Sequence, residues 1–221
     1  MNTSLAADLV PLIVVAFMVG LIPFVAMMVT SYTKIVVVLG LLRQALGVQQ
    51  VPPNMVLNGL AIILSTYIMA PIAMDTMDTV QGAKKQGPTP SSLEQLGQVV
   101  EAARAPIVQF LDKHAHEREK AFFLKSAAAV WPPERARQLE KTDLLVLAPA
   151  FTVSELTEAF KIGFLIYLAF VVVDLVVANI LLALGLSQVS PTTVSIPFKL
   201  LLFVVLDGWS LLLHGLVLTY K

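Results

Sequence analysis

The sequence predicts an all-α protein built of membrane-associated helical hairpins, with an amphipathic helical insertion between two hydrophobic halves. Three observations carry this. Of 221 residues, 57% are hydrophobic and 14% charged, where ordinary soluble domains carry roughly 25% charged and 45–50% apolar residues. Mean hydropathy is +0.81. The charges cluster as well: residues 79–143 hold ten Lys/Arg and eight Asp/Glu, 18 of the 30 in the chain. The chain therefore divides into an N-terminal hydrophobic region (1–78), a polar helical middle (79–143) and a C-terminal hydrophobic region (144–221). No strand-like alternation and no internal repeat is visible.

The first apolar stretch, residues 9–29, has 21 residues without a charge, enough for the ~20 of a membrane-spanning helix. It continues beyond Lys34 through 35–42, too long for one span, so Pro11 and Pro23 are expected to kink or divide it. No Lys or Arg precedes Lys34. A secretory leader needs a basic start and an apolar run of roughly 7–15 residues, so this stretch reads as retained. The second stretch, 55–74, is uncharged. The third, 162–186, is broken only by Asp174, and the fourth, 194–220, contains Lys199, Asp207 and His214.

The middle segment predicts soluble helices. Ser91 and Glu94 fit a capping box. Leu93, Leu96, Val99, Val100, Ala103 and Ile107 then follow amphipathic spacing. Pro106 suits the first turn of a second helix, with Phe110, Leu111 and Leu124 as its apolar face. Residues 81–92, rich in Gly, Pro and Ser, read as a loop, and Trp131-Pro132-Pro133 as a turn. Lys34 and Arg43 flank the first connector and Lys199 lies beside the second. The positive-inside rule then places both connectors in the cytoplasm, and the termini and middle segment outside.

Composition excludes several functions. Fifteen Lys+Arg balance fifteen Asp+Glu, leaving no basic excess to neutralise nucleic-acid phosphates. The chain has no cysteine, which removes disulfides, thiolate catalysis and thiolate metal sites. His114 and His116 are two apart, so on a helix they diverge; His114 with Glu117 gives two metal ligands at most, and a solvated charged face is the simpler reading. No HExxH, GxSxG or P-loop pattern occurs, and no cofactor, metal or catalytic residue is expected.

Asp174 is different. A carboxylate in the middle of a span costs at least ~2.5 kcal/mol, so it needs a partner or water; it reads as a structural ion pair between helices or subunits, or as a proton relay. Lys199 and Asp207 lie two turns apart in a straight helix and cannot bond each other, so each needs another partner. Asp207 and His214 share a face. The uncharged stretch 187–197, rich in Ser, Thr and Gln, joins two apolar blocks. Irregular backbone at membrane depth survives only beside protein or a water-filled cavity, which makes it either an interfacial hairpin or a pore-lining loop.

Several strings in order resemble the R-subunit (SctR/FliP) family of the type III secretion export apparatus. They are TSYTK at 30–34, LLRQALG at 41–47, VPPN at 51–54, MAP at 69–71, PAFTVSELTEAFKIGF at 149–164, SIPFK at 195–199 and DGW at 207–209. The ending HGLVLTY at 214–220 is closer to the virulence branch than to flagella, with a leaning to the plant-pathogen type. The resemblance implies a non-enzymatic inner-membrane pore component. It further implies a closed helical assembly of five R-type, four S-type and one T-type subunits, through which unfolded effector and needle proteins pass. In that assembly the hairpins are lifted toward the periplasm and meet neighbouring subunits. Lys34, Arg43, Asp174, Lys199 and Asp207 are then expected to find partners on other subunits. The resemblance also places the pore constriction at Leu186, Ser187, Gln188 and Val189. Many relatives carry a methionine-rich run there; the Leu-Ser-Gln of this chain departs from it, which puts the sealing chemistry in doubt, because flexible thioethers seal by adaptable packing. The competing reading is an ion or small-molecule transporter using Asp174, Lys199 and Asp207, against which stands the lack of an inverted repeat.

Overall fold

The computed structural model describes residues 13, 16–17, 19–21, 23–85 and 104–221. Among them every regular element is helical. These are α1 (Tyr32–Ala45), α2 (Asn54–Lys85), α3 (Glu117–Val130), α4 (Pro133–Ala136), α5 (Leu144–Ala183), α6 (Pro191–Val205) and α7 (Gly208–Leu218). Residues 23–28 and 104–114 are also helical. The expected capping box at Ser91 and Glu94, and the apolar positions from Leu93 to Ala103, lie outside the described residues.

α1 is the centre of the packing. Its buried positions Lys34, Ile35, Val38, Leu39, Leu42 and Ala45 recur at helical spacing and form one stripe. That stripe packs chiefly on α5 and then on α2. From α2, Leu57, Ala61 and Ser65 face it at four-residue intervals. A hydrogen bond of 3.0 Å from Ser31 Oγ to Ser65 Oγ keeps these buried hydroxyls paired. At Gly163 of α5, α1 approaches so closely that an added Cβ would collide with the side chain of Leu41.

α5 has 40 residues, a rod of ~60 Å at the usual rise per residue, about twice the ~30 Å of bilayer hydrocarbon. It starts at Leu144, well before the expected apolar block at 162. Its first half carries Glu155, Glu158 and Lys161, and in its second half Asp174 is the one charged residue. α2 and α5 are each long and apolar enough to cross a membrane, and two bent pairs raise the possible number to four. Only 17% of the most apolar window of either long helix is buried within the chain.

The divisions of the two outer blocks differ from expectation. In the first block the break falls at residues 29–31, where the helix Val19–Met28 meets α1 at 61°, and Pro23 lies within that helix. In the last block α6 and α7 meet at 64°. Asp207 sits in the left-handed region there, at φ 49°, which short polar side chains tolerate better than most. Gly208 follows; a Cβ would run into the ring and carbonyl of Phe203. Two predicted loops are also shorter. Residues 81–85 continue α2, and 191–197 form the first turns of α6, with Pro191 at its start, where a missing N–H costs nothing.

Residues 104–114 and α3 dock on the first half of α5. Phe110, Leu111 and Ala115 bury themselves against Leu147, Ala150 and Phe151. The helix that was expected to run on through Leu124 breaks at Ala115 and His116. There the His116 backbone N–H donates to Ser154 Oγ at 2.9 Å.

Candidate functional site

One buried ion pair, a second whose carboxylate is partly exposed, and one exposed hairpin tip hold most of the residues singled out above. The first pair joins α1 to α5. Lys34 Nζ lies 2.9 Å from Glu155 Oε1, and both residues are almost fully buried, at 4% and 1% exposure. Lys34 occupies the first turn of α1, where the helix dipole disfavours a cation, so the carboxylate must offset that as well as burial. Tyr220 completes the group. Its hydroxyl donates to Glu155 Oε2, and Lys34 Nζ sits 4.1 Å from its ring centroid, within cation–π range. Neither Glu155 nor Tyr220 was singled out from sequence. The signal available was Glu155 and Glu158 in an otherwise apolar helical run.

The second pair joins α5 to α6. Lys199 Nζ donates to Asp174 Oδ2 at 2.7 Å and to the Ala45 carbonyl at 3.1 Å. Ala45 closes α1, and its carbonyl is one of the four a helix end leaves unpaired. One ammonium thus neutralises the mid-helix carboxylate and caps a third helix. The ion-pair reading of Asp174 holds between helices of one chain.

Arg43 Nη1 donates to the Pro52 carbonyl at 3.1 Å and to Asn54 Oδ1 at 2.7 Å, bracing the connector before α2. Lys34, Arg43, Asp174 and Lys199, all expected to meet other subunits, therefore have partners within the chain. The physical reason is that the hairpins pack close enough for opposite charges on adjacent helices to meet. Asp207 differs: its side chain is exposed at the α6–α7 bend and has no ion-pair partner among the described residues. His214 is exposed too. With Lys199 already neutralised by Asp174, the three charges of the transporter reading do not form one site.

The hairpin tip lies between α5 and α6. Gly185, at φ 71°, ends α5 in a paired-turn arrangement: the Gly185 N–H bonds to the Leu182 carbonyl and the Leu186 N–H to the Leu181 carbonyl. That satisfies the last carbonyls and turns the chain back. Leu186, Ser187, Gln188 and Val189 are all exposed, so the loop is held by its ends and its side chains project freely.

The histidines separate. His114 packs against Phe110 and Tyr220, with centroids 4.8 and 5.1 Å away. It is half-buried and not part of the solvated face predicted for residues 113–117. His116 Nε2 lies 3.3 Å from Glu158 Oε1, while Glu117 pairs with Lys120 and Lys141. Lys120 and Lys141 hold the Glu117 carboxyl below its usual range, Lys120 more strongly. Burial alone would lower the Lys120 ammonium, but Asp112 and Glu117 outweigh it and the value rises. No group of three or more His, Asp or Glu able to hold a metal exists among the described residues.

Burial, then Lys113 and Lys34, push His114 down from 6.5 to about 4. A lowered folded value means that the unfolded chain binds the extra proton. Stability is therefore full above about pH 6.5 and is lost as pH falls toward about 4. Unfolding followed across that window should show this slope, and His114→Gln should flatten it. An equal slope in the variant would place its origin elsewhere.

The chain matches the FliP family over residues 14–216. It is 63% identical to the hypersensitivity response secretion protein HrcR of Ralstonia nicotianae over 211 residues, covering 95% of this chain and 96% of the relative. It is 61% identical to the pathogenicity-related ORF2 product of Xanthomonas campestris pv. glycines, with 95% and 96% covered. It is 51% identical to the Yop proteins translocation protein R of Yersinia pestis, with 96% and 97% covered. The chain belongs to the FliP family, as an R subunit of type III secretion.

Proposed function

We propose that this chain is a non-enzymatic export-gate subunit of the bacterial inner membrane. Five copies, together with S-type and T-type subunits, would enclose the pore through which unfolded effector and needle proteins pass. The observation that carries the reading is the mismatch between apolar surface and burial. The two long helices bury 17% of their most apolar windows, and the exposed residues include Phe160, Phe164, Leu165, Val172 and Leu201. A chain whose buried cations are paired internally while its apolar faces stand open is built to pack against lipid and other subunits.

The constriction belongs at Leu186, Ser187, Gln188 and Val189. This tip projects from two helices that an ion pair holds together, so it can line an opening without bearing the fold. The polar middle segment belongs on the periplasmic side. Cysteine placed at Lys113 should react with an impermeant thiol reagent from that side, and cysteine at Gln49 should not; the reverse pattern refutes this orientation.

The decisive experiment is native mass spectrometry of the purified chain combined with a permeability assay on the assembled complex. A homo-pentamer is expected, and a chain that stays monomeric overturns the reading. Replacing both Ser187 and Gln188 by glycine should leave complex yield intact and raise leakage of small dyes, because exposed loop residues add little to global stability. Unchanged leakage with lowered yield would make the tip a packing element instead.

A further inference from the structure

Tyr220 lies beyond the last turn of α7, yet it touches three separate parts of the fold. Its hydroxyl bonds Glu155 of α5. Its ring carries Lys34 of α1 at 4.1 Å. Phe110 stacks on the same ring at 6.2 Å with the planes 18° apart, and the His114 ring meets it at 5.1 Å and 60°. Phe110 and His114 belong to the middle segment, which among the described residues is otherwise docked on α5 largely through the cluster around Leu147 and Phe151.

The helix that delivers Tyr220 is anchored by Leu216, fully buried in the cluster around Ile35 and Leu39, and beyond it the backbone holds only to its own last turn. α7 ends at Leu218, and beyond it the N–H groups of Tyr220 and Lys221 make only short-range bonds, to Val217 and Leu218 at 3.2 and 3.3 Å. At its other end α7 hangs from the 64° bend at Asp207 and Gly208. So α7 is a short rod with a bend at one end and an aromatic hook at the other. The hook covers the most buried charge pair among the described residues.

We propose that Tyr220 is a latch that clamps the middle segment and closes the Lys34–Glu155 pair from solvent, so that the position of α7 controls whether residues 104–114 are docked. With the ring seated, Glu155 has both carboxylate oxygens bonded, and Phe110 and His114 have their aromatic partner. With the ring withdrawn, Glu155 loses one bond, water reaches Lys34, and the middle segment keeps only its contacts to α5. The inference stands apart from any role of the chain in a pore.

Hydrogen–deuterium exchange on the purified full-length chain tests it, comparing wild type with Tyr220→Ala and Tyr220→Phe. Tyr220→Ala should speed exchange over residues 107–115 by about tenfold, the factor expected for losing the ring contacts with Phe110 and His114. Exchange around Phe170 and Phe203 should stay as in wild type. Tyr220→Phe keeps the ring and loses the hydroxyl, so it should give a smaller rise over the same residues. No change at 107–115 in Tyr220→Ala overturns the latch. A uniform rise across the whole chain also overturns it, since Tyr220 would then be a general core residue. If Tyr220→Ala is not recoverable, Tyr220→Phe decides alone: protection of 107–115 equal to wild type overturns the proposal.

Discussion

Glu155→Ala is expected to destabilise the chain by about 3–5 kcal/mol, because it strands the buried Lys34 ammonium without its carboxylate. Three things fail together. Lys34, 4% exposed, loses an ion pair of 2.9 Å. The Tyr220 hydroxyl loses its acceptor. A cavity opens beside Phe151, which is fully buried in the same stretch of α5. Replacing Lys34, Glu155 and Tyr220 together by Met, Leu and Phe should recover much of the loss, since well-packed apolar groups often substitute for a buried pair at little cost. Chemical unfolding in detergent measures both. A Glu155→Ala chain within about 0.5 kcal/mol of wild type, the usual range for surface changes, would show that water reaches the pair.

Gly163→Ala is expected to cost about 1–3 kcal/mol, the range for overpacking a well-filled core. The added methyl group would meet Cβ, Cγ and Cδ1 of Leu41. A new rotamer of Leu41 moves Cγ and Cδ1 but leaves Cβ in place, so α1 and α5 must part. Their contact is the largest between any two elements and carries the Lys34–Glu155 pair, so the separation also lengthens that bond. Leu41→Ala in the same chain should restore part of the stability, and a double-mutant cycle reads the coupling. Additive effects would mean that the helices do not cross at this point.

Much of the fold is legible in composition and spacing. Segregation of 18 of 30 charges into residues 79–143 marks the polar insertion. Uncharged runs mark α2 and the second half of α5. Errors concentrate at element ends. Residues 191–197 look like a loop because they contain Pro191, Pro197, Ser and Thr, yet Pro191 opens α6 and the helix absorbs Pro197. The start of α5 at Leu144 escaped notice because Glu155, Glu158 and Lys161 end the apolar run as counted in one dimension. In the folded chain all three of these charges are paired: Glu155 with Lys34, and Glu158 with Lys161 at 2.7 Å and His116 at 3.3 Å.

The candidate site divides in the same way. From the residues alone only the uncharged stretch 187–197 between two apolar blocks stood out, and the resemblance narrowed the tip to 186–189. The charged residues were recognisable as anomalies, but their partners were not. Lys34 meets Glu155 and Asp174 meets Lys199 only because α1, α5 and α6 cross at particular angles and registers, and a residue's type says nothing of which side chain stands across an interface.

The sequence alone determined that this chain is helical, that it carries four apolar segments around a polar insertion, and that it resembles the R-subunit family. Composition and helical period suffice for the first two, since both are properties of neighbours along the chain, and the resemblance rests on the motif strings quoted above. Only the tertiary structure decided that the buried cations are neutralised within one chain, that α1 is the helix around which the others pack, and that Tyr220 bonds Glu155 with Lys34 over its ring. These are contacts between residues far apart in sequence, and they form because burying a charge is costly unless an opposite charge and its hydrogen bonds are buried with it.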